Sequence, residues 1–176
     1  MSAETLIDQG FAERAEAGLA RRNSRLASQR ASKKATFESV AVVGLGYVGL
    51  PLAVHLADKF ARVSGFDISE KRVAEIGRGF DATFEIGNLA LQRCGLKAST
   101  DVSEIADATF YIVTVPTPIN EARQPNLSPL KSACEAIAPV LKPDDIVVFD
   151  STVYPGVTEE FCAPILEDIS GLKAGV

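Results

Sequence analysis

Three glycines at the spacing G-x-G-x-x-G form the most informative pattern in this chain. They are Gly44, Gly46 and Gly49, and a short apolar run precedes them. In such a pattern the first glycine allows a tight turn from strand to helix. The second leaves the backbone open to an anion, and the third lets the helix pack closely on the strand. The free N–H groups and the positive end of that helix favour a phosphate, so the pattern predicts a loop that binds a diphosphate.

An acidic residue follows these glycines at a distance that suits the same ligand. Asp67 ends a second apolar run, and an acid roughly 20 positions after the glycines is expected to bind the adenosine ribose of a dinucleotide. A carboxylate accepts hydrogen bonds from the ribose 2′-hydroxyl and repels a 2′-phosphate. We therefore predict that the cofactor is NAD rather than NADP.

Hydroxyl side chains stand at the ends of two further apolar runs. The run 109–115 leads into Pro116-Thr117-Pro118, and the run 146–150 leads into Ser151-Thr152. If both runs are parallel strands, these residues lie at the same sheet edge as the glycine loop, where open α/β sheets hold ligands. A hydroxyl there can bond a cofactor or a water. For Thr152, a hydroxyl that only caps a turn remains the alternative.

The elements that position these residues alternate between strands and helices. We predict strands near 39–43, 62–67, 96–99, 109–115 and 146–150, and helical segments near 50–57, 69–77, 85–94, 101–106, 128–141 and 157–169. This alternation predicts an α/β fold of the Rossmann type, with a doubly wound parallel sheet. The usual dinucleotide-binding sheet has six strands, so we expect this one to be incomplete at its C-terminal end.

Several helix ends carry capping signals. Ser69 and Ser128 are predicted N-caps, with a proline at the first position after the second of them. Gly77 is predicted to follow the end of its helix. Asp101 and Glu104 have the spacing of a capping pair that opens a short helical turn.

Composition and charge narrow the class of protein. The chain of 176 residues has 47% apolar and 23% charged residues and a net charge of −5. The first 37 residues carry seven basic and four acidic side chains, so the remainder is strongly acidic. We predict a basic extension over 1–36, helical or disordered, ahead of a nucleotide-binding domain over 37–176. The basic extension lacks interleaved aromatic residues, and the domain that follows it is acidic. Both features argue against a nucleic-acid partner.

Targeting and redox signals point to the cytoplasm. No apolar stretch approaches the roughly 20 residues that cross a bilayer, and no secretory signal is present, so we expect no membrane partner. Cys94, Cys134 and Cys162 lack the spacing of metal ligands, and we expect them to be reduced, mostly buried thiols with no metal site.

Four stretches together resemble the N-terminal domain of the UDP-glucose/GDP-mannose dehydrogenase family. They are GLGYVGLP (44–51), GFDISEKRV (65–73), VTVPTPIN (113–120) and DSTVYPGVTEE (150–160). The resemblance covers about residues 38–172. The last two stretches look most like the branch that oxidises UDP-N-acetylhexosamines for bacterial surface polysaccharides.

The resemblance implies an oxidoreductase that converts the C6 alcohol of a nucleotide-sugar to a carboxylate with two NAD+, and implies a homo-oligomer for the full-length protein. It implies that Arg72 lies near the adenosine ribose and its phosphate, and that Thr152 orders a water beside the reacting carbon. The predicted cofactor contacts are Gly44, Gly46, Tyr47, Val48, Gly49, Asp67, Arg72, Val115, Pro116, Thr117, Ser151 and Thr152.

The family's second oxidation needs a cysteine nucleophile in a glycine-rich loop of a later domain, and no such loop is found in this sequence. None of the three cysteines is therefore assigned to catalysis, and we expect this chain alone to bind NAD without turning over a UDP-sugar. A stand-alone, non-catalytic NAD-binding module is the alternative. A dehydrogenase of the β-hydroxyacid type is disfavoured by the last two stretches.

Overall fold

The computed structural model describes residues 39–119 and 124–175, all within the unit Phe37–Val176. Its strands are β1 (Ser39–Val43), β2 (Arg62–Phe66), β3 (Lys97–Ser99), β4 (Phe110–Val113) and β5 (Ile146–Phe149). Its α-helices are α1 (Gly49–Ala57), α2 (Glu70–Gly77), α3 (Asn88–Arg93), α4 (Ser128–Ile137) and α5 (Ala163–Ser170). The predicted extension over 1–36 lies outside the described residues, and the boundary at 36–37 stays a prediction.

The five strands form one parallel sheet in the order β3-β2-β1-β4-β5. The chain starts at the centre, runs outward through β2 and β3, and returns to the other side of β1 with β4. This is the order of a doubly wound dinucleotide-binding sheet up to its fifth strand, so the predicted fold class is confirmed. Among the described residues there is no sixth strand, and β5 forms one edge of the sheet.

Alternate residues of β1 serve two separate cores, because successive side chains of a strand point to opposite faces. Ala41 and Val43 pack on the face covered by α4 and α5. Val42 packs on the opposite face, with apolar residues of α1, α2 and α3. All five residues of β1 are buried, as expected for a central parallel strand. The carboxyl end of β1 is thus held rigidly on both faces.

Two predicted helix starts are wrong. Ser128 does not cap α4; it is the first helical residue, and its N–H donates to Oδ1 of Asn126 at 2.9 Å. The predicted helix 85–94 begins only at Asn88. Residues 81–86 instead form a loop around the carboxylate of Asp81, which accepts from the N–H groups of Glu85 and Ile86.

Other helix ends follow the predictions more closely. Ser69 caps α2 by accepting from the N–H of Arg72 at 3.2 Å. Gly77 is the last residue of that helix, and Gly79, at φ +71°, is the glycine that takes the left-handed conformation. Asp101 accepts from Ser103 rather than pairing with Glu104.

The last predicted helix, 157–169, is two elements in the structure. A π-helical turn spans Thr158–Cys162, and α5 continues from Ala163. Across the described residues, no helix is both long enough and apolar enough to cross a membrane.

Candidate cofactor site

The glycine loop joins β1 to α1 at the carboxyl edge of the sheet. Gly44 has φ +93°, a conformation that favours glycine, and its N–H donates to the carbonyl of Phe66 at 2.8 Å. The carbonyl of Gly44 accepts from the Thr114 hydroxyl at 2.6 Å. The first glycine is therefore fixed between the ends of β2 and β4, the two strands that flank β1 in the sheet.

The other two glycines of the motif have opposite surroundings. A Cβ at Gly49 would overlap the carbonyl oxygen of Gly44 and the hydroxyl of Thr114. A Cβ at Gly46 would meet no atom within 4 Å. Gly49 is thus needed for the close approach of helix α1 to the loop, whereas Gly46 leaves an open space above the loop.

Asp67 lies directly against the glycine loop. Its Oδ2 accepts from the N–H of Leu45 at 2.8 Å, and its Oδ1 accepts from the N–H of Ser69 at 2.9 Å. Because each carboxylate oxygen can accept about two hydrogen bonds, both oxygens keep capacity for another donor. The half-buried carboxylate can therefore hold the loop and accept from a ligand hydroxyl at the same time.

The side chain of Arg72 is hydrogen-bonded to the glycine loop. Its Nε donates to the carbonyl of Leu45 at 2.6 Å, and its Nη2 lies 2.8 Å from Oδ1 of Asp81. Its Nη1 lies 3.7 Å from the carboxylate of Glu75, and only 10% of its side chain is exposed. The guanidinium thus connects the glycine loop, helix α2 and the segment after α2.

Asp81 organises that segment, residues 81–86. Its fully buried carboxylate accepts from the Thr83 hydroxyl and from the N–H groups of Thr83, Glu85 and Ile86. Burial alone would raise the pKa of Asp81, but these hydrogen bonds and Arg72 lower it to about 2. The carboxylate is therefore charged at neutral pH and fixes the position of Arg72.

A cleft of about 750 Å³ lies beside the glycine loop, at the carboxyl ends of β1, β2 and β4. Its location between β1 and β4 is where the strand order reverses, the usual ligand position in open α/β sheets. Six of the predicted contacts line the cleft: Gly44, Gly46, Asp67, Arg72, Val115 and Pro116. They contribute both the open space over Gly46 and the carboxylate of Asp67.

Several residues that line this cleft were missed by the sequence analysis. They are Val43, Phe66, Ile68, Ser69, Lys71, Glu75, Ala82, Thr83, Thr114, Ser128, Pro129, Ser132 and Ala133. The signal for Lys71 and Glu75 lay in the sequence, since residues one turn apart on a helix share a face with Arg72 or with each other. No local pattern indicated Thr83, because the Asp81 carboxylate and Arg72 bring its segment to the cleft.

Thr117, Ser151 and Thr152 form a second group, at the loops that follow β4 and β5. The Thr117 hydroxyl donates to the carbonyl of Thr152 at 2.7 Å, and the Ser151 hydroxyl donates to the carbonyl of Val115 at 2.7 Å. These two bonds tie the loops together at the same sheet edge as the cleft. Thr152 is exposed, and the bond from Thr117 uses only its main-chain carbonyl.

The remaining predicted contacts lie on the glycine loop outside the cleft lining. Tyr47 is 69% exposed and Val48 is also exposed, whereas Gly49 is buried under the loop. Tyr47 and Val48 thus face solvent, beside the open space over Gly46.

The cysteines lie away from this edge. Cys134 and Cys162 are buried in the core that α4 and α5 form with the sheet, where burial raises the pKa of both thiols. Cys94 is half-buried and donates to the carbonyl of Leu91 at 3.0 Å. Over the described part of the chain, no group of three or more cysteine, histidine or acidic side chains could hold a metal ion.

The site suits an adenine dinucleotide on three observations. The loop offers an open space at Gly46 where a side chain would stand, next to the N-terminus of α1. Asp67 keeps acceptor capacity beside it. The cleft is lined by both apolar and polar side chains and falls within the size range of small-molecule sites.

Comparison with known proteins decides the family. Residues 38–176 match the family described as the UDP-glucose/GDP-mannose dehydrogenase family, NAD binding domain. The chain belongs to the UDP-glucose/GDP-mannose dehydrogenase family. The matched region is its NAD-binding domain, so NAD is the cofactor of this domain, in agreement with the prediction from the sequence.

The relatives of this family member include nucleotide-sugar dehydrogenases. The chain is 51% identical over 135 residues to the UDP-N-acetyl-D-glucosamine 6-dehydrogenase of Pseudomonas aeruginosa, covering 76% of this chain and 32% of that protein. Protein CapL of Staphylococcus aureus is 46% identical over 137 residues, covering 78% and 32%. The chain therefore spans about a third of the length of these curated relatives.

Solved structures agree with the fold. The UDP-D-ManNAc dehydrogenase of Pyrococcus horikoshii superposes with a TM-score of 0.72 at 32% identity, covering 78% of this chain and 34% of that chain. A ternary complex of the GDP-mannose dehydrogenase of Pseudomonas aeruginosa gives a TM-score of 0.72 at 30% identity, covering 78% and 34%.

Proposed function

We propose that this chain is the NAD-binding portion of a nucleotide-sugar 6-dehydrogenase that oxidises the C6 alcohol of a UDP-N-acetylhexosamine to a uronate with two NAD+. The observation that carries the proposal is the contact between Asp67 and the glycine loop beside the open space at Gly46. It supports the proposal because it brings the residue proposed for the ribose next to the loop proposed for the diphosphate. The names of two relatives, both UDP-N-acetyl-D-glucosamine 6-dehydrogenases, support the sugar class.

In this proposal the residues of the chain divide the cofactor between them. The loop from Gly44 to Gly49, with Tyr47 and Val48 at its exposed side, binds the diphosphate through N–H groups. Asp67 binds the adenosine ribose diol. NAD+ held there would supply the hydride acceptor, and the chain's own role would be to orient the nicotinamide ring toward the sugar.

The loops after β4 and β5 are proposed to hold the nicotinamide end. Val115, Pro116, Thr117 and Ser151 line the path from the cleft to this end, and the bonds between the two loops keep their positions fixed. Thr152 is proposed as the residue that orders a water beside the reacting carbon. Its exposed side chain at the sheet edge is what such a role requires.

The proposal is tested by titrating the 176-residue chain with NAD+, NADP+ and UDP-N-acetylglucosamine by calorimetry, with a parallel assay for NADH formation. We expect NAD+ to bind with a clear preference over NADP+ and no NADH to form. Turnover by this chain would contradict the proposal that the sugar-oxidising groups lie elsewhere in the protein. Absence of NAD+ binding would contradict the cofactor site. A cytoplasmic location and a homo-oligomeric full-length protein stay predictions.

A further inference from the structure

Two basic side chains line the cleft next to the ribose carboxylate. Lys71 and Arg72 lie in the first turn of α2, a few residues after Asp67. In dinucleotide-binding folds an arginine near this position is the group that accommodates the 2′-phosphate of NADP. Judged by these cations alone, the wall of the cleft would suit NADP as well as NAD.

Both cations are paired with one carboxylate on the same helix. The two oxygens of Glu75 face different partners: one lies 4.0 Å from Nζ of Lys71 and the other 3.7 Å from Nη1 of Arg72. Only 9% of the Glu75 side chain is exposed, and the residue lines the same cleft.

The other Nη atom of the Arg72 guanidinium contacts Asp81. Nη2 of Arg72 lies 2.8 Å from this carboxylate, and Nε is used by the carbonyl of Leu45. Arg72 therefore has a carboxylate beside each Nη atom. Asp67 and Glu75 on this wall, with the buried Asp81 behind it, give three carboxylates against the two basic side chains.

We propose that Glu75, supported by Asp81, is a specificity-determining residue that makes this cleft select NAD against NADP. Asp67 repels a 2′-phosphate directly, where the ribose is bound. Glu75 acts differently, because it neutralises the two cations that would otherwise attract the phosphate and keeps Arg72 directed at the glycine loop. The inference rests on the proposed binding of the adenosine ribose at Asp67.

Glu75→Gln tests this inference because it removes the charge and keeps the side-chain volume. We expect the affinity for NADP+ to rise about three- to tenfold relative to that for NAD+, measured by calorimetry on the full 176-residue chain at low salt. Against an Asp67→Asn background, the same substitution is expected to raise NADP+ affinity at least about tenfold over Asp67→Asn alone. Glu70→Gln is the matched control, since Glu70 is an exposed carboxylate of the same helix outside the cleft lining.

The ratio of the two affinities separates a charge effect from a structural one. A purely structural role of Glu75 would weaken both cofactors alike and leave the ratio unchanged. A charge effect shifts the ratio, and the shift shrinks as salt rises toward about 1 M. Glu75→Ala repeats the test with a second side chain, and circular dichroism verifies that each variant is folded.

Two results would overturn the inference. An unchanged ratio in both Glu75 variants, with NAD+ still bound by the wild-type chain, would remove Glu75 as a determinant and leave the proposed function intact. No binding of either cofactor by the wild-type chain would overturn the proposed function and this inference with it.

Discussion

The carboxylate of Asp67 accepts a hydrogen bond from the N–H of Leu45, at 2.8 Å, across 22 residues of chain. This bond joins the end of β2 to the glycine loop that follows β1. The residue proposed to bind the ribose is therefore also a support for the loop proposed to bind the diphosphate. A change at Asp67 must affect both the ligand and the loop.

Asp67→Asn is predicted to weaken NAD+ binding about ten- to a hundredfold, because the ribose diol loses a charged acceptor and one of the two N–H groups, of Leu45 and Ser69, loses its acceptor. Calorimetry with NAD+ measures the effect. Asp168→Asn, at an exposed position of α5, is the matched control and is expected to leave the affinity unchanged. Equal affinities for wild type and Asp67→Asn would remove Asp67 from the site.

Gly49→Ala is predicted to lower the stability of the fold, whereas Gly46→Ala is predicted to weaken NAD+ binding. At Gly49 the new methyl group overlaps the Gly44 carbonyl and Thr114, so we expect the free energy of unfolding to fall by about 3 kcal/mol or more. At Gly46 the methyl group meets no protein atom, so we expect stability within about 0.5 kcal/mol of wild type. The same methyl group occupies space proposed for the diphosphate, and we expect NAD+ affinity to fall at least about tenfold.

Urea unfolding and NAD+ titration of the same two preparations check this pair. Gly77→Ala is the control for both, since Gly77 ends α2 with open space around it and away from the cleft lining. A stable Gly49→Ala variant, or a Gly46→Ala variant with unchanged affinity, would contradict the roles assigned to these glycines.

Asp81 is predicted to make the free energy of unfolding depend on pH in the acid range. Its pKa is lowered from 3.8 to about 2 in the folded chain, so its contribution is fully present above pH 4 to 5 and is lost as the pH falls toward 2. We expect this contribution to be on the order of 1–2 kcal/mol. Asp81→Asn should therefore lower the free energy of unfolding at pH 7. Between about pH 5 and pH 3 the variant should lose less stability than wild type does.

Urea unfolding of both proteins at several pH values measures this difference. Asp168→Asn again serves as the control for a change of one carboxylate at the surface. Parallel pH profiles of wild type and Asp81→Asn would show that Asp81 is not stabilised as a charged group.

The three thiols are predicted to react at different rates. Burial raises the pKa of Cys134, and the adjacent Cys162 thiol raises it further; burial also raises the pKa of Cys162. Since the thiolate is the reactive form, Cys94, which is half-buried, should be alkylated first in the folded chain. Mass spectrometry after brief iodoacetamide treatment reports the order. Rapid labelling of Cys134 would mean that it is accessible and would reopen a chemical role for it.

Local patterns predicted the features of the fold that depend on neighbours in sequence. The strand β1, the glycine turn and the cap at Ser69 were all predicted correctly, because each follows from residue types within a few positions. The sheet order followed from the alternation of strands and helices. The position of Asp67 at the end of β2 was enough to place its carboxylate at the glycine loop.

Features that depend on distant partners were not predictable in this way. The loop ahead of α3 depends on Asp81, whose carboxylate accepts from N–H groups of Thr83, Glu85 and Ile86. The cleft wall around Thr83 depends on the pairing of Asp81 with Arg72. The π-helical turn at Thr158–Cys162 has the composition of an ordinary helix, so its residue types gave no signal.

A structure of this chain crystallised with NAD+ tests the central claim most directly. We predict the diphosphate over Gly46 at the N-terminus of α1, and the adenosine ribose hydroxyls within hydrogen-bonding distance of the Asp67 carboxylate, which still accepts from Leu45. A dinucleotide bound elsewhere on the domain, or bound in the cleft with its ribose away from Asp67, would contradict the account.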